Sequence, residues 1–289
     1  MTLQYKFGLI GHHIGYSKST EIFKAIFEIK KINGSFELFD LPPASFEKDF
    51  QNIVRQRIDG LSVTIPYKKR VMPLLDDITP VANSLEAVNS IRVNGQNLQG
   101  HNTDVFGFAL PLKLHSNDLK QGSALILGCG GSAKAAVYSL CTDFEMPNFT
   151  VLGRSSEILS QFAHSLKNSL TNAQLHTGYF KNFFNRSKID FSIVVNCTPL
   201  GGWNNPDESP LPPGFDWSLS KIYYDLNYNT RNKIVRRAAD NGLTAINGAA
   251  MLVGQALRSF EIWSGQTAEF DEVYDRVFGE SSRKSQATN

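Results

Sequence analysis

The chain has 289 residues, 42% of them hydrophobic, and its 29 basic and 27 acidic residues give a net charge of +2. This length predicts two domains, because single hydrophobic cores usually stop growing near ~250–300 residues. The near-neutral balance, with dispersed Lys and Arg residues, argues against a nucleic-acid or membrane-surface partner.

The compartment expected from the sequence is the cytoplasm. Cys129, Cys141 and Cys197 show no CxxC spacing, which favours reduced thiols. Residues 1–15 lack the basic and apolar regions of a signal peptide, and no apolar run approaches the ~18–20 residues of a membrane span. The polar tail 281–289 is expected to be frayed.

Strand and helix patterns alternate along the first block, which is typical of an α/β fold. Ser17 is the predicted cap of the first helix, Pro66 ends the third strand, and Asn94-Gly95 predicts a hairpin turn. The predicted elements are strands at 6–10, 36–39 and 61–65, helices at 17–31 and 45–56, and a hairpin of 91–93 and 98–101.

The second block continues the alternation, with a Gly-, Pro- and Asn-rich loop at 199–213 that is predicted to be a mobile surface element. Its predicted strands are 123–127, 149–152, 193–195, 222–224 and 244–246. Its predicted helices are 103–112, one beginning at 132, 230–241, 249–264 and 268–278.

A glycine-rich turn between a buried strand and a helix is typical of dinucleotide binding. Gly128 suits the tight turn, Gly130 lets the backbone approach a pyrophosphate, and Ala133 allows close packing of helix on strand. The following helix offers free N–H groups to phosphate. The alternative is an ordinary strand-to-helix turn, but the context on both sides favours a nucleotide site.

The next strand ends at Gly153-Arg154-Ser155, where an acidic residue would favour NAD. A guanidinium matches a phosphate dianion, so Arg154 favours NADP, which carries a 2′-phosphate. A solvated surface arginine is the alternative, and the nearby Glu157 leaves NAD open.

Lys68 follows a strand and a proline, so its backbone is held in place, and it is a candidate general acid or base. Asp104, in Asn102-Thr103-Asp104, is a candidate partner that would hold the ammonium. A solvated lysine and a helix-capping aspartate are the alternatives, and spacing alone does not decide between them.

Other polar residues are candidates for substrate contacts. Ser17 and Ser19 offer two hydroxyls to a carboxylate or to hydroxyls, although Ser17 also suits a helix cap. Asn89 precedes a strand, Gln255 interrupts an apolar helix, and Tyr228 lies just past a strand end, where ligands bind in open α/β sheets. No ligand cluster indicates a metal site, and His12-His13 is interpreted as a loop pair.

Taken in order, these motifs resemble those of the shikimate dehydrogenase family, from about residue 7 to residue 278. The matching segments are Gly15-x-Ser17-Lys18-Ser19, Val63-Thr64-Ile65-Pro66-x-Lys68, Ala87-Val88-Asn89, Asn102-Thr103-Asp104, Gly128-x-Gly130-Gly131-x-Ala133, Arg154, Tyr224-Asp225-x-x-Tyr228 and Asn247-Gly248-x-x-Met251-Leu252-Val253-x-Gln255-Ala256. The resemblance implies NADPH-dependent reduction of 3-dehydroshikimate to shikimate in the chorismate pathway of aromatic amino acid biosynthesis.

The fold implied by the resemblance is two α/β domains with an active site between them. Residues 1–104, completed by helices within 252–280, would form the substrate domain, and 105–251 a Rossmann-type NADP-binding domain. Lys68 and Asp104 would be catalytic. Substrate contacts would come from Ser17, Ser19, Ser62, Thr64, Asn89, Tyr228 and Gln255. Cofactor contacts would come from Gly128, Gly130, Gly131, Ser132, Ala133, Gly153, Arg154, Ser155, Leu226 and Gly248. The expected assembly is a monomer or homodimer.

Several positions depart from the family pattern and leave substrate and cofactor choice open. The departures are Tyr16, Thr20, Ser62, Glu86, Val105, Gly153 and Ser155. One alternative is therefore a quinate or quinate/shikimate dehydrogenase that uses NAD. The other is a ligand sensor without catalysis, which the presence of both Lys68 and Asp104 argues against.

Overall fold

The computed structural model describes residues 4–167, 169–170, 173–184, 190–229 and 232–279. They form two compact units, the first built from 4–107 and 253–279 and the second from 108–252. Both combine sheets with helices, which confirms the predicted α/β class.

The strands within the described residues are numbered in chain order. They are β1 Gln4–Gly11, β2 Asn33–Asp40, β3 Gly60–Val63, β4 Asp77–Ile78, β5 Ser90–Asn94, β6 Asn97–His101, β7 Ser123–Leu127, β8 Asn148–Gly153, β9 Gln174–Tyr179, β10 Phe191–Asn196, β11 Ser220–Asp225 and β12 Thr244–Asn247.

The helices are numbered in the same way, and short 3₁₀ turns lie at Met72–Leu74, Leu110–His115 and Trp217–Leu219. They are α1 Ser19–Lys30, α2 Phe46–Val54, α3 Pro80–Ser84, α4 Asp104–Ala109, α5 Ser116–Leu119, α6 Gly131–Asp143, α7 Ser156–Leu166, α8 Phe180–Phe183, α9 Lys233–Asp240, α10 Ala249–Ser264 and α11 Phe270–Phe278.

The first unit contains a mixed sheet of order β2-β1-β3-β5-β6-β4. β1 runs parallel to β2 and β3, whereas β5 is antiparallel to both β3 and β6. The carboxyl ends of β1, β3 and β6 and the amino end of β5 therefore share one edge. The segments that follow β3 and β6 carry Lys68 and Asp104, so this edge positions the candidate catalytic pair.

The central strands β1 and β3 of this sheet are buried on both faces. On one face, Leu61 and Ile91 pack with Phe46 and Phe50 of α2. On the other face, the ring of Phe7 lies 4.9 Å from that of Trp263 in α10. A Cβ on Gly60 would lie 2.2 Å from the Trp263 side chain, so glycine leaves room for the indole. From Val253 onward, helix α10 is therefore part of the first unit's core.

The second unit contains a fully parallel sheet of order β12-β11-β10-β7-β8-β9. Counted from β7, this is the order 3-2-1-4-5-6 of dinucleotide-binding folds, with the reversal between β7 and β10. β7 and β10 are almost entirely buried, as expected for central parallel strands covered on both faces.

Some predicted boundaries were wrong for identifiable reasons. α1 begins at Ser19 after an N-cap at Lys18, because the Ser17 N–H bonds the Ile14 carbonyl at 2.9 Å in a preceding turn. β3 ends at Val63, since the Tyr67 N–H bonds the Thr64 carbonyl and closes a turn. β9 and α7 were not predicted.

Two other predictions fall partly outside what the structure describes. The helix predicted from 230 is α9, which begins at Lys233 after the capping residue Asn232, while Thr230 and the tail 281–289 lie outside the described residues. In the loop 199–213, the Gly201 N–H bonds the Asn205 carbonyl and Leu211 is buried in the core of the second unit. Its mobility stays a prediction.

Candidate active site

The turn that carries Lys68 is anchored in the core on both sides. The Thr64 N–H donates to the Ile10 carbonyl at 2.9 Å, and the Val88 N–H donates to the Lys68 carbonyl at 2.8 Å. Tyr67 is fully buried, stacks on Phe46 and donates its hydroxyl to the Leu41 carbonyl. The Ile65–Pro66 bond is cis. These contacts fix the backbone from which the Lys68 side chain extends.

Lys68 and Asp104 form a close ion pair. Lys68 Nζ lies 2.5 Å from Asp104 Oδ2, and the two side chains are 17% and 8% exposed. The other carboxylate oxygen accepts from Asn89 Nδ2 at 2.8 Å. One hydrogen bond to Asp104 leaves the ammonium further N–H groups to donate. The pair can therefore deliver a proton while the carboxylate holds the lysine in place.

Asn89 belongs to a buried polar chain that positions Asp104. Its oxygen accepts from the Thr103 N–H at 2.6 Å, and its Nδ2 donates to Thr103 Oγ1 at 3.0 Å. Thr103 Oγ1 lies 3.1 Å from Ser259 Oγ in α10. The carbonyl oxygen and the NH₂ group of the Asn89 side chain are thus both bonded to the segment that carries Asp104.

Ser259 and Thr103 are site residues that the sequence reasoning missed. Ser259 is fully buried and lies one helical turn after Gln255, so the two project from the same face of α10. The signal that singled out Gln255, a polar residue within an apolar helix, applies equally to Ser259.

The remaining predicted substrate residues fall into three places. Ser17 and Ser19 follow the carboxyl end of β1, and Ser17 Oγ donates to Ser19 Oγ at 3.1 Å. Ser62 is buried on β3 directly opposite Ser90 of β5, and Thr64 follows β3 on the turn toward Lys68. Tyr228 lies in the second unit, just past β11.

The glycine-rich turn of the second unit fits a dinucleotide. Gly128 has φ +103°, and a Cβ there would lie 3.3 Å from the Cys197 backbone, so the conformation and the space both favour glycine. A Cβ on Gly130 would meet no atom of the described residues within 4 Å, so the space beside this residue is open. Gly131 and Ser132 begin α6 and Ala133 is fully buried. With Gly130 as the N-cap, no capping side chain bonds the first amides of α6, which suits a pyrophosphate.

Other predicted cofactor residues follow β8, β11 and β12, at the same carboxyl edge of the second unit's sheet as the glycine-rich turn. Gly153 ends β8, exposed Arg154 follows it, and Ser155 is the N-cap of α7. Leu226 follows β11, and its N–H donates to the Asn196 carbonyl at 3.0 Å. A Cβ on Gly248 would lie 2.2 Å from the Leu226 carbonyl oxygen, so the loops after β11 and β12 are in close contact.

Three further features concern the cysteines, possible metal ligands and possible membrane-spanning helices. All three cysteines are free thiols. Within the described part of the chain, no group of three or more His, Cys, Asp or Glu side chains is placed to hold a metal ion. None of the described helices combines the length and apolar character needed to cross a membrane.

The chain is similar in sequence to known shikimate dehydrogenases. The sequence profile of the shikimate dehydrogenase substrate binding domain matches residues 9–91, and that of the shikimate 5′-dehydrogenase C-terminal domain matches residues 248–278. The shikimate dehydrogenase (NADP(+)) of Synechocystis sp. is 35% identical over 91% of this chain and 91% of its own length.

Solved structures agree with the sequence relatives. Shikimate dehydrogenase 1 from Peptoclostridium difficile superposes with a TM-score of 0.80, 31% identity and coverage of 97% of this chain and 99% of that one. The Thermus thermophilus shikimate 5-dehydrogenase, solved with NADP(H) and shikimate, gives a TM-score of 0.78 at 25% identity over 97% of this chain and 99% of that one. The protein is thus a member of the shikimate dehydrogenase family.

Proposed function

We propose that the protein is an NADP-dependent shikimate dehydrogenase, which reversibly reduces 3-dehydroshikimate to shikimate on the route to chorismate and the aromatic amino acids. The observation that carries the proposal is the Lys68–Asp104 pair, held at one sheet edge in a chain whose second unit has a dinucleotide-binding strand order. We assign substrate binding, apart from Tyr228, to the first unit and NADP binding to the second. The free thiols are in keeping with a cytoplasmic enzyme.

In this proposal, Lys68 is the general acid of the reduction. Its ammonium donates a proton to the substrate carbonyl oxygen as negative charge develops there, and NADPH when bound supplies the hydride. Asp104 holds the ammonium by the 2.5 Å contact and remains a carboxylate. Because the Lys68 side chain is 17% exposed, it can recover a proton from water after transfer. In the reverse direction, neutral Lys68 accepts the proton of the substrate hydroxyl.

The surrounding polar residues bind and orient the substrate. Ser17 and Ser19 present paired hydroxyls to the substrate carboxylate, and Ser62, Thr64 and Gln255 bind ring hydroxyls. We assign Asn89 to the orientation of Asp104, because its amide is bonded to Asp104 and Thr103, and through the family resemblance also to the substrate. Tyr228 is assigned to the substrate through the family resemblance.

The proposal is tested by initial rates, followed by the absorbance of the reduced nicotinamide, with shikimate or quinate crossed against NADP or NAD. Rapid turnover confined to shikimate with NADP supports it. Efficient turnover of quinate with NAD would replace it by the quinate alternative, and cofactor binding without turnover of either acid would favour the sensor.

Arg154→Ala is expected to raise the KM for NADP by about tenfold to a hundredfold and to change the KM for NAD little. A guanidinium–phosphate contact contributes about 1.5–3 kcal/mol, and only NADP carries the 2′-phosphate. The matched control is Arg236→Ala, which removes another exposed arginine of the second unit. Equal changes for the two cofactors would contradict the phosphate role.

Gly130→Ala is expected to weaken NADP binding by about tenfold or more without unfolding the protein. A methyl group there meets no atom within 4 Å in the described part of the chain, but it occupies the open space assigned to the pyrophosphate. The free energy of unfolding should change by no more than about 1 kcal/mol, the cost of alanine at an N-cap. Calorimetric titration with NADP and thermal unfolding measure the two effects, and unchanged NADP affinity would place the pyrophosphate elsewhere.

A further inference from the structure

A buried carboxylate lies at the carboxyl edge of the second unit's sheet. Asp225 ends β11, is fully buried, and accepts hydrogen bonds at both carboxylate oxygens. Its Oδ2 accepts from Asn196 Nδ2 at 2.9 Å, Tyr223 OH at 3.0 Å and Asn232 Nδ2 at 2.9 Å. Its Oδ1 accepts from the backbone and side-chain nitrogens of Asn227 at 3.0 and 2.8 Å. We call Asp225, Asn196, Tyr223, Asn227 and Asn232 the Asp225 cluster.

Burying a carboxylate costs more free energy than a role in packing alone would require. Burial raises the pKa of Asp225, while the hydrogen bonds from Asn196, Asn227 and Asn232 act against that rise. The partners in the cluster are neutral groups, and a buried carboxylate in such a setting is favourable only when its oxygens are fully hydrogen-bonded, as they are here. The partners of Asp225 are therefore held in fixed positions.

Two of these partners extend the cluster to the loop after β10. Asn196 Oδ1 accepts from the Thr198 N–H at 2.9 Å, and Asn196 Nδ2 donates to the Leu200 carbonyl at 2.9 Å. Asn227 Nδ2 lies within hydrogen-bond distance of the carbonyls of Thr198, at 3.0 Å, and Leu200, at 3.2 Å. The loop at 197–200 is thereby held by two asparagines that both bond Asp225.

The same cluster reaches the loops after β11 and β12. The Leu226 N–H donates to the Asn196 carbonyl at 3.0 Å, and the Gly248 N–H donates to the Asn227 carbonyl at 3.0 Å. Three successive strand ends, those of β10, β11 and β12, are therefore tied to one carboxylate.

The strand order assigns these three ends to one half of the cofactor. In a sheet of order 3-2-1-4-5-6, each set of three strands binds one mononucleotide. The glycine-rich turn and Arg154 follow β7 and β8, which assigns the 2′-phosphorylated adenosine half to the set β7–β9. The set β10–β12 remains for the nicotinamide half.

We propose that Asp225 is a positioning residue for the nicotinamide half of NADP, acting through Asn196 and Asn227 to hold the loops at 197–200, 226–227 and 248. This rests on the proposed function in that the chain must bind NADP. The alternative is a packing role. In that case, loss of the cluster would lower the stability of the whole second unit and would weaken the binding of both halves of the cofactor equally.

The test compares binding of NADP with binding of adenosine 2′,5′-bisphosphate, which contains only the phosphorylated adenosine half. The variants are Asp225→Asn, which puts an amide donor among the donors, and Asn227→Ala, which removes the bonds to Thr198 and Leu200 from a half-buried site. Asn241→Ala, an exposed asparagine at the far end of α9, is the control. Asn227→Ala decides the question if Asp225→Asn does not fold.

For folded variants, we expect the NADP affinity and kcat each to fall by roughly tenfold or more, as for loss of buried hydrogen bonds. The bisphosphate affinity and the KM for shikimate should stay within about twofold. Parallel losses for NADP and bisphosphate, or no loss for either, would overturn the positioning role. If the unmodified protein binds neither ligand, the proposed function fails first, and the inference with it.

Discussion

Lys68→Ala is expected to lower kcat by about 10³-fold, because the reaction loses the group that protonates the developing alkoxide. The fold should persist, since Asn89 still donates to the Asp104 carboxylate at 2.8 Å. We expect the free energy of unfolding to fall by about 1–3 kcal/mol, the cost of removing one partner of a buried polar contact. NADP binding should be unchanged, because Lys68 lies in the unit assigned to substrate. Initial rates at saturating substrate and calorimetric titration with NADP measure the two effects.

The neighbouring residue supplies a matched control for this variant. Lys69 is 73% exposed and pairs with Glu86 on the surface, so Lys69→Ala should leave kcat within about twofold. A normal kcat in Lys68→Ala would remove the lysine from the mechanism. A loss of kcat in both variants would indicate that the turn itself, rather than the ammonium, is required.

Asp104→Asn is expected to lower kcat by about 10²–10³-fold with little change in size at the site. The amide group must direct an N–H toward either Lys68 or Asn89, both of which are donors here, so the ammonium loses its anchor. Initial rates measure the effect, and Asp77→Asn, an exposed aspartate of β4, is the control.

The double variant Lys68→Ala/Asp104→Asn distinguishes a coupled pair from two independent residues. Because the carboxylate acts through the lysine, the double variant should be about as slow as Lys68→Ala alone. Losses that multiply fully would mean that Asp104 contributes to the reaction by a route that does not involve Lys68.

The local sequence pattern was sufficient to predict the bounds of elements that are buried and continuous. The residues 123–127 and 249–264 were predicted with the bounds of β7 and α10, because long apolar runs bounded by glycine or polar residues leave few alternatives. β9 was missed because Gln174–Tyr179 contains only two hydrophobic side chains, at Leu175 and Tyr179, and is mostly exposed at a sheet edge.

The site residues likewise divide into those that a short sequence motif indicates and those that only the folded structure shows. Lys68 and Asp104 lie in short motifs that the sequence displays directly. Ser259 and the Asp225 cluster were not predicted, because their roles arise only when distant segments meet. Ser259 bonds a residue 156 positions away, and Asp225 bonds Asn196 on the neighbouring strand. The spacing of residues within a short stretch of sequence indicates neither contact.

The place of α10 in the first unit has a consequence for how the chain matures on the ribosome. Phe7 and Gly60 precede the second unit in the sequence, and they pack against Trp263, which follows it. The described residues of the second unit, by contrast, all come from the stretch 108–252. Domains usually fold as they emerge, the N-terminal one first. Here the second unit can complete its core before the first, whose sheet keeps its Trp263 side uncovered until α10 has been translated.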